Sequence, residues 1–330
     1  MSENSRKILE ILRNSGDYIS GEEISSKLGI SRSAVWKSVS KLRNVGYVID
    51  AVSNRGYRLS EGIDLPISDE IHRYLDTESF GSEIVYMKTV DSTNDLALTL
   101  ARQGAAHGTV VTTDQQTRGR GRKGREWISP QGVNLYLSII LKPEVSPAEA
   151  SQLPVLSVIA SIRALKRMAP DLPIMIKWPN DIYCRGKKIS GTLCEMKAEI
   201  DRVNYVVVGT GININMKQPP DSIGDTATSL LIETGMEYSR VKITVFLLEE
   251  LERIYNKWLS KGNLEFITDE WNRSSYLKGL EVDVRTPTRI ITGKAIGIAL
   301  NGALKLKLPD GSVRLVYAGD ATLHEIATVD

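Results

Sequence analysis

The chain has 330 residues, 42% hydrophobic and 25% charged, with a formal net charge of +2. That length suggests two or three domains with ample chain for a catalytic core, and the near-neutral balance excludes a global field for nucleic-acid or membrane binding, so any basic site must be local. Cys184 and Cys194 are too few for a disulfide scaffold and lack zinc spacing. They read as two buried or half-buried thiols in a reducing compartment. No apolar run approaches membrane-spanning length, so a cytoplasmic protein with no membrane partner is expected.

Residues 1–62 read as three short helices and a hairpin. Ile8, Leu9, Ile11 and Leu12 form a helical stripe ending near Ser15-Gly16. Ser20 with Glu23 has the capping-box pattern that opens a second helix, closed by Gly29 after Leu28. Ser31 stands where an N-cap belongs, and Ala34, Val35, Val39 and Leu42 share the inner face of a third helix that Gly46 stops. Strands at Tyr47-Val48-Ile49 and Tyr57-Arg58-Leu59 flank the turn Ser53-Asn54-Arg55-Gly56. Arg32, Ser33, Trp36, Lys37 and Lys41 point away from the inner face. With Arg55 at the hairpin tip, the layout is that of a winged helix-turn-helix, its basic groups suited to phosphates and its short polar groups to base edges. A small protein-interaction module with solvated charges is the alternative.

Gly62 and Pro66 interrupt the periodicity, which makes 63–66 a linker. Residues 67–275 alternate strands, at 84–87, 109–113, 134–142, 174–178 and 203–208, with helices, at 68–75, 93–103, 147–168 and 241–260. Hydrophobic alternation with the turn signals Asn301-Gly302 and Asp310-Gly311 marks 276–330 as a small all-β unit.

Three segments carry chemistry. Arg118-Gly119-Arg120-Gly121-Arg122-Lys123-Gly124-Arg125 interleaves five cations with three glycines. It cannot hold a helix, since each Gly costs ~1 kcal/mol and the like charges repel. Such a loop is expected to stay mobile until anions neutralise it, its glycines letting the backbone approach a carboxylate or phosphate and its arginines donating bidentately. A flexible basic loop, or an RNA-binding Arg-Gly segment, would look similar taken alone. Lys177-Trp178-Pro179-Asn180-Asp181 ends an apolar strand abruptly and presents Asn180 and Asp181 at its carboxyl end, where α/β ligand sites lie, although surface turns have this composition too. Gly186-Lys187-Lys188-Ile189-Ser190-Gly191-Thr192-Leu193 is a turn running into a strand, where a lysine beside small residues can enter a pocket; paired lysines are more often solvated.

In this order, with Trp127 after the loop and with Asp91-Ser92-Thr93-Asn94 and Gly209-Thr210-Gly211-Ile212-Asn213, these motifs resemble the biotin protein ligases, and with the winged head the whole chain resembles the bifunctional class that also represses biotin-synthesis genes. The resemblance implies a multidomain α+β chain: the winged helix-turn-helix, a central α/β ligase domain with a mixed, class II synthetase-like sheet, and a C-terminal SH3-like β-barrel. It implies biotin and ATP as substrates with Mg²⁺ on the leaving pyrophosphate, a biotin carboxyl carrier protein as acceptor, operator DNA, and a ligand-promoted homodimer.

The same resemblance assigns roles. Ser92, Thr93, Asn94 and Gln116 match the segment that hydrogen-bonds biotin, and Arg120, Gly121 and Arg122 the loop core that folds over it, with Gly191 beside the pocket. Arg125 matches the arginine on the nucleotide phosphates, Trp127 the residue packing by adenine, and Lys188 the lysine between the biotin carboxylate and the α-phosphate. Asn180 and Asn213 fall on the nucleotide side. Catalysis would rest on Arg122, Arg125 and Lys188, which offset the repulsion between carboxylate and phosphate. Arg32, Ser33, Trp36, Lys37 and Arg55 are the DNA candidates. Thr117-Arg118 adds a cation that the family often lacks. His72, His107 and His324 are scattered and receive no role, and no protein metal site is expected. The competing readings are a biotin sensor without catalysis, a lipoate or octanoate ligase, and an Arg-Gly nucleic-acid binder.

Overall fold

The computed structural model describes residues 1–324; residues 325–330 of the expected C-terminal unit lie outside the described residues. The chain divides into two compact units, one from Met1 to Leu65 and one from Pro66 onward.

In the first unit, α1 (Glu3–Ser15), α2 (Gly21–Leu28) and α3 (Arg32–Val45) precede the hairpin β1 (Val48–Val52) and β2 (Gly56–Glu61). Ser2, Ser20 and Ser31 each accept a hydrogen bond from the backbone N–H three residues on, and Gly16, Gly29 and Gly46 end the helices. Only half of the expected capping box forms at α2, because Glu23 turns its carboxylate to Lys27 Nζ at 2.8 Å rather than back to Ser20. Ile8, Leu9, Leu12, Ile24, Val35, Val39 and Leu42 form one buried cluster with Tyr47 and Ile49, while Ile11 and Ala34 are half-buried at its edge. Each of these residues, when fully buried, contributes roughly 1.5–3 kcal/mol of apolar transfer. Gly56 has φ +101°, and a Cβ there would collide with the Ile19 backbone, whose N–H and C=O pair with Tyr57 at 2.9 Å. That exchange pins the hairpin to the helices.

The second unit runs α4 (Ser68–Ile71), β3 (Ile84–Val90), α5 (Thr93–Arg102), β4 (Val110–Gln116), β5 (Leu135–Leu141), α6 (Pro147–Ala150), α7 (Leu153–Met168), β6 (Ile174–Lys177), β7 (Asp181–Cys184), β8 (Lys187–Ala198) and β9 (Val203–Ile212). It continues through α8 (Leu230–Thr234), α9 (Arg240–Lys261), α10 (Glu265–Ser274), β10 (Glu281–Arg285), β11 (Ile290–Ile298), β12 (Leu304–Lys307), β13 (Val313–Val316) and β14 (Asp320–Leu323). A seven-stranded sheet has the order β3-β4-β5-β9-β8-β7-β6 and is mixed, β3 and β4 being parallel and the remaining pairs antiparallel. Helix α7, with α9 packed against it, covers one face and α5 the other, so β5, inside the sheet, is buried along its whole length. The small all-β part is a five-stranded antiparallel sheet, order β13-β12-β11-β10-β14, and Val282, Val284, Leu304 and Leu306 join the same core as α7 and α9.

Some elements differ from expectation. The helix expected over 147–168 is two, because Pro154 in the first turn of α7 cannot donate backward, and the chain restarts there. The helix expected over 68–75 is regular only to Ile71; Tyr74 and Leu75 still donate to Ile71 O at 3.0 Å as a closing turn, and the N–H groups of Glu78, Ser79 and Phe80 beyond it go to the Glu252 carboxylate at 2.7–2.8 Å. Asp181 does not sit at the carboxyl end of a strand but opens β7 after a three-residue turn. Helices α8 and α10 and strand β7 add elements that the sequence pattern leaves unmarked.

Candidate active site and nucleic-acid interface

One cleft in the second unit gathers the motifs. Ser92 N-caps α5 and delivers Thr93 and Asn94 to the cleft at the end of β3. Gln116, beside them at the end of β4, accepts from the backbone N–H and the hydroxyl of Thr93 at 2.9 and 3.1 Å through Oε1, and donates to Ser129 Oγ at 2.9 Å. Asn94 Oδ1 accepts from Ser138 Oγ at 2.6 Å, and Nδ2 donates to Glu195 at 2.8 Å and to Leu193 O at 3.3 Å. The buried Asn94 amide and the half-buried Gln116 amide therefore have fixed orientations, a polar floor held from below. Gly209 makes room for it, since a Cβ there would collide with the Asn94 amide. Two residues on, along the same face of β9, a Cβ on Gly211 would come within 2.5–2.7 Å of the Trp127 indole. The Gly-x-Gly spacing thus seats two side chains on one face.

The Gly-Arg segment meets a carboxylate of the protein itself at each of its cations. Its root is held by Asp91, which accepts from Thr117 Oγ1 at 2.7 Å, from the Arg118 side chain at 2.5 Å and, through its carbonyl, from Arg118 N at 2.9 Å. Arg120 bridges Asp95 at 2.5 Å and Glu195 at 2.9 Å. Burial works against its charge, but the two carboxylates raise its pKa above the ordinary arginine value. A 3₁₀ turn over Arg122–Gly124 places Lys123 at φ 57° and Gly124 at φ 74°. Arg122 donates to Asn180 Oδ1 at 3.0 Å and to Gly319 O at 3.2 Å, and the Asp320 carboxylate lies within 3.4 Å of Arg122, 3.0 Å of Lys123 and 2.8 Å of Arg125. The protein's own carboxylates supply counter-charges to the loop's cations.

Across the cleft, Trp178 is buried with Nε1 donating to Gly302 O at 3.2 Å, and Asn180 donates to Thr192 O at 2.6 Å. Lys188 Nζ stands 2.8 Å from Asp181 Oδ1 and 5.3 Å from the centroid of the Trp127 ring. A Cβ on Gly191 would press on Lys188 and Asp181 at 3.0–3.2 Å. Trp127 Nε1 is buried without an acceptor among the described residues. Burial, and then Asp181, raises the Tyr183 pKa on the same wall.

The sequence-derived residues Ser92, Thr93, Asn94, Gln116, Arg120, Gly121, Arg122, Arg125, Trp127, Asn180, Lys188 and Gly191 all line this cleft. Asn213 does not: it is buried, accepts from Asn134 Nδ2 at 3.3 Å and donates to Thr228 O at 3.0 Å, tying β9 to the segment before α8. His72, His107 and His324 also lie outside the lining. Sequence reasoning missed Glu195, Asp95, Ser138 and Asp320. The first three are ordinary residues on strands and a helix, and only the fold brings Asp320 to a loop nearly two hundred residues earlier in the chain.

Residues 86–213 match the model of the biotin/lipoate A/B protein ligase family, residues 4–58 a helix-turn-helix domain, and residues 279–323 the biotin protein ligase C-terminal domain. The bifunctional ligase/repressor BirA of Bacillus subtilis is 37% identical over 324 residues, spanning 96% of this chain and 98% of that protein. The chain belongs to the biotin protein ligase family. The bifunctional ligase/repressor BirA of Escherichia coli is 30% identical over 318 residues, 96% of each chain. Among solved structures, the biotin protein ligase from Aquifex aeolicus in complex with biotin and ATP matches at 30% identity and TM-score 0.64, covering 74% of this ligase and all of that chain.

The ligase's first unit presents a separate surface. Arg32, Ser33, Trp36, Lys37 and Lys41 are exposed on α3, with Trp36 60% accessible. Arg55, in the hairpin turn, lies over the Tyr18 ring at 4.4 Å and 3.5 Å from Asp17. No helix among the described residues is long and apolar enough to cross a membrane.

Proposed function

We propose that the cleft joins biotin to ATP as biotinyl-5′-AMP and passes the biotinyl group to a lysine of a biotin carboxyl carrier protein. The biotin carboxylate oxygen bonds to the α-phosphorus and pyrophosphate departs; the acceptor amine then bonds to the acyl carbon, AMP departs, and the amine loses a proton. The observation that carries this reading is the convergence of Arg122, Arg125 and Lys188 with the neutral polar floor of Thr93, Asn94 and Gln116 in one cleft. A carboxylate and an α-phosphate repel in a low-dielectric site, and these cations offset that repulsion as charge moves to the pyrophosphate. Arg120, Gly121 and Gly191 would shape the biotin side, with Ser92 part of its polar floor, while Trp127 and Asn180 face the nucleotide and the orphan Trp127 Nε1 awaits an acceptor. Asn213 would support that side from beneath rather than touch it.

The donor set does not form a cage for Mg²⁺: among the described residues no group of three or more metal-ligating side chains gathers, and Asp181 and Asp320 are both engaged by cations. Mg²⁺ therefore belongs to the proposal only as the nucleotide's counter-ion, held by phosphates.

The functional division would be 1–62 for DNA, 63–66 as linker, 67–275 for ligation and 276–330 as the C-terminal part. A cytoplasmic, ligand-promoted homodimer with two winged heads would read a two-fold operator through Arg32, Ser33, Trp36, Lys37 and Arg55. Biotin-dependent ATP–pyrophosphate exchange tests the first half-reaction, with lipoate and octanoate as controls. Exchange with biotin alone is expected. Biotin binding without exchange would favour a sensor that has lost catalysis.

A further inference from the structure

The distal cations of the Gly-Arg loop share a counter-ion that no motif announces. Asp320, the first residue of β14, is the one carboxylate within ion-pair distance of Lys123 and Arg125 among the described residues, and it also reaches Arg122. Its side chain is 22% exposed. Burial favours its protonated form, but Lys123, Arg125 and Arg122 together hold the carboxyl below the usual aspartate range. Backbone pairing with Arg285 fixes the strand that carries it, whereas Lys123 and Gly124, both at positive φ, give the facing loop an adaptable turn.

We propose that Asp320 is the resident anion of the phosphate-handling site: a positioning residue that holds Arg122, Lys123 and Arg125 until nucleotide phosphates take over Lys123 and Arg125. The inference rests on the adenylation reading above. Carboxylate and phosphate offer guanidinium and ammonium groups the same acceptor chemistry. They cannot both saturate one donor set, because two anions at that range repel. Exchange also requires pairs that are individually weak. Arg125 and Lys123 meet that condition, being 68% and 44% exposed and so largely screened by solvent. Arg122 is 26% exposed and keeps a second acceptor in Asn180, so it stays seated while the other two transfer. The C-terminal sheet thereby takes part in the adenylation site and sets how strongly the site competes with its own substrate.

Asp320→Asn tests this in the full chain, with Asp320→Glu as the variant that keeps the charge. Trypsin cuts after the Arg and Lys residues of the loop. In protein prepared without nucleotide, the Asn variant should be cut there several-fold faster than wild type, and with biotin and ATP both should resist alike. ATP binding by calorimetry should tighten roughly tenfold once the competing charge is gone, and the gain should shrink as salt rises. The Glu variant should move both readings back toward wild type. A merely structural Asp320 would instead loosen the fold and weaken ATP binding, so wild-type cleavage of the Asn variant, or weaker binding, overturns the proposal. A wild-type chain that fails biotin-dependent exchange, yet binds ATP more tightly as Asp320→Asn, would sink the ligase reading and support the resident anion.

Discussion

The head and the ligase unit both depend on cationic and polar side chains, and they set them against opposite backgrounds. On α3 the basic groups stand in solvent above an apolar core that contains none of them. In the ligase cleft, Thr93, Asn94 and Asn180 are buried and hydrogen-bonded, and Asn94 is wedged against the backbone of Gly209. A surface that meets a polyanion from outside needs no internal counter-charges. A cleft that brings two anions together away from water needs its cations and amides oriented beforehand, and orientation comes from packing. Function and stability should therefore be separable in the head and entangled in the ligase unit.

The largest effect should come from Lys188→Ala. It removes a cation from the cleft and leaves Asp181 facing the reacting anions without its 2.8 Å partner. Biotin-dependent exchange should fall by on the order of 10²- to 10³-fold, the scale of losing one oriented charge stabiliser. Thermal stability should fall with it, because Lys188 is only 30% exposed and the Asp181 carboxylate, 19% exposed, loses its ion-pair partner. A wild-type exchange rate would remove Lys188 from the mechanism.

Asn94→Ala is the sharper test of entanglement. It strips Ser138 of an acceptor and Glu195 of a donor in the buried floor. Unpaired buried polar groups cost roughly 1–3 kcal/mol each, so stability and biotin affinity should fall together. Denaturant midpoints and biotin titrations of the same sample decide it; lost affinity at unchanged stability would mean that the floor is not one network.

Lys37→Ala probes the opposite background. Operator affinity should drop modestly and the slope of log affinity against log salt should lose about one unit, as expected for one phosphate contact, while unfolding moves by less than about 0.5 kcal/mol. Equal losses in DNA binding and stability would erase the contrast between the units.

A smaller effect separates the units by pH. All three histidines follow residue 65, so the head has none. Burial lowers the His107 pKa from its ordinary 6.5, and the neutral ring accepts from Lys142 N–H at 3.0 Å through Nδ1. The unfolded chain therefore takes up this proton first as pH falls, so the stabilisation is fully present above the ordinary histidine value and is lost as pH falls below it. Melting of the ligase unit should weaken from about pH 7 to 5.5, and His107→Asn should flatten that slope; an unaltered slope would point to other groups.

The contrast also explains what could be read from residues alone. The head was legible because its helices follow simple rules: serine caps, glycine stops and an apolar stripe. In the ligase unit the motifs located the cleft, since glycines and charges in unusual density have few structural uses. The sequence could not reveal the partners. Asp320 and Glu195 sit on strands where an acidic residue is unremarkable, and only sheet order brings them to the loop. The loop's internal counter-charges were hidden for the same reason: like charges along the chain are visible in sequence, whereas carboxylates contributed by distant strands are not. Asn213 shows the other side, a residue inside a motif whose amide is engaged by Asn134 and Thr228 rather than lining the cleft.

The smallest effect should come from Arg118, the cation at the root of the loop. Its side chain is 78% exposed and meets Asp91 at 2.5 Å. An exposed pair of this kind contributes about 0–1 kcal/mol. Asp91 keeps two further ties to the same stretch of chain: its carboxylate accepts from the Thr117 hydroxyl, and its carbonyl from the Arg118 backbone N–H, which no side-chain substitution removes. Arg118→Ala should therefore leave exchange within about twofold of wild type and shift unfolding by less than about 1 kcal/mol. Thr117→Val in the same chain should add to that loss rather than merely accompany it, because both side chains hold one carboxylate. A large loss from Arg118→Ala alone would mean that this guanidinium meets substrate or carrier directly, and the solvent-facing background would then extend from the head into the rim of the ligase cleft.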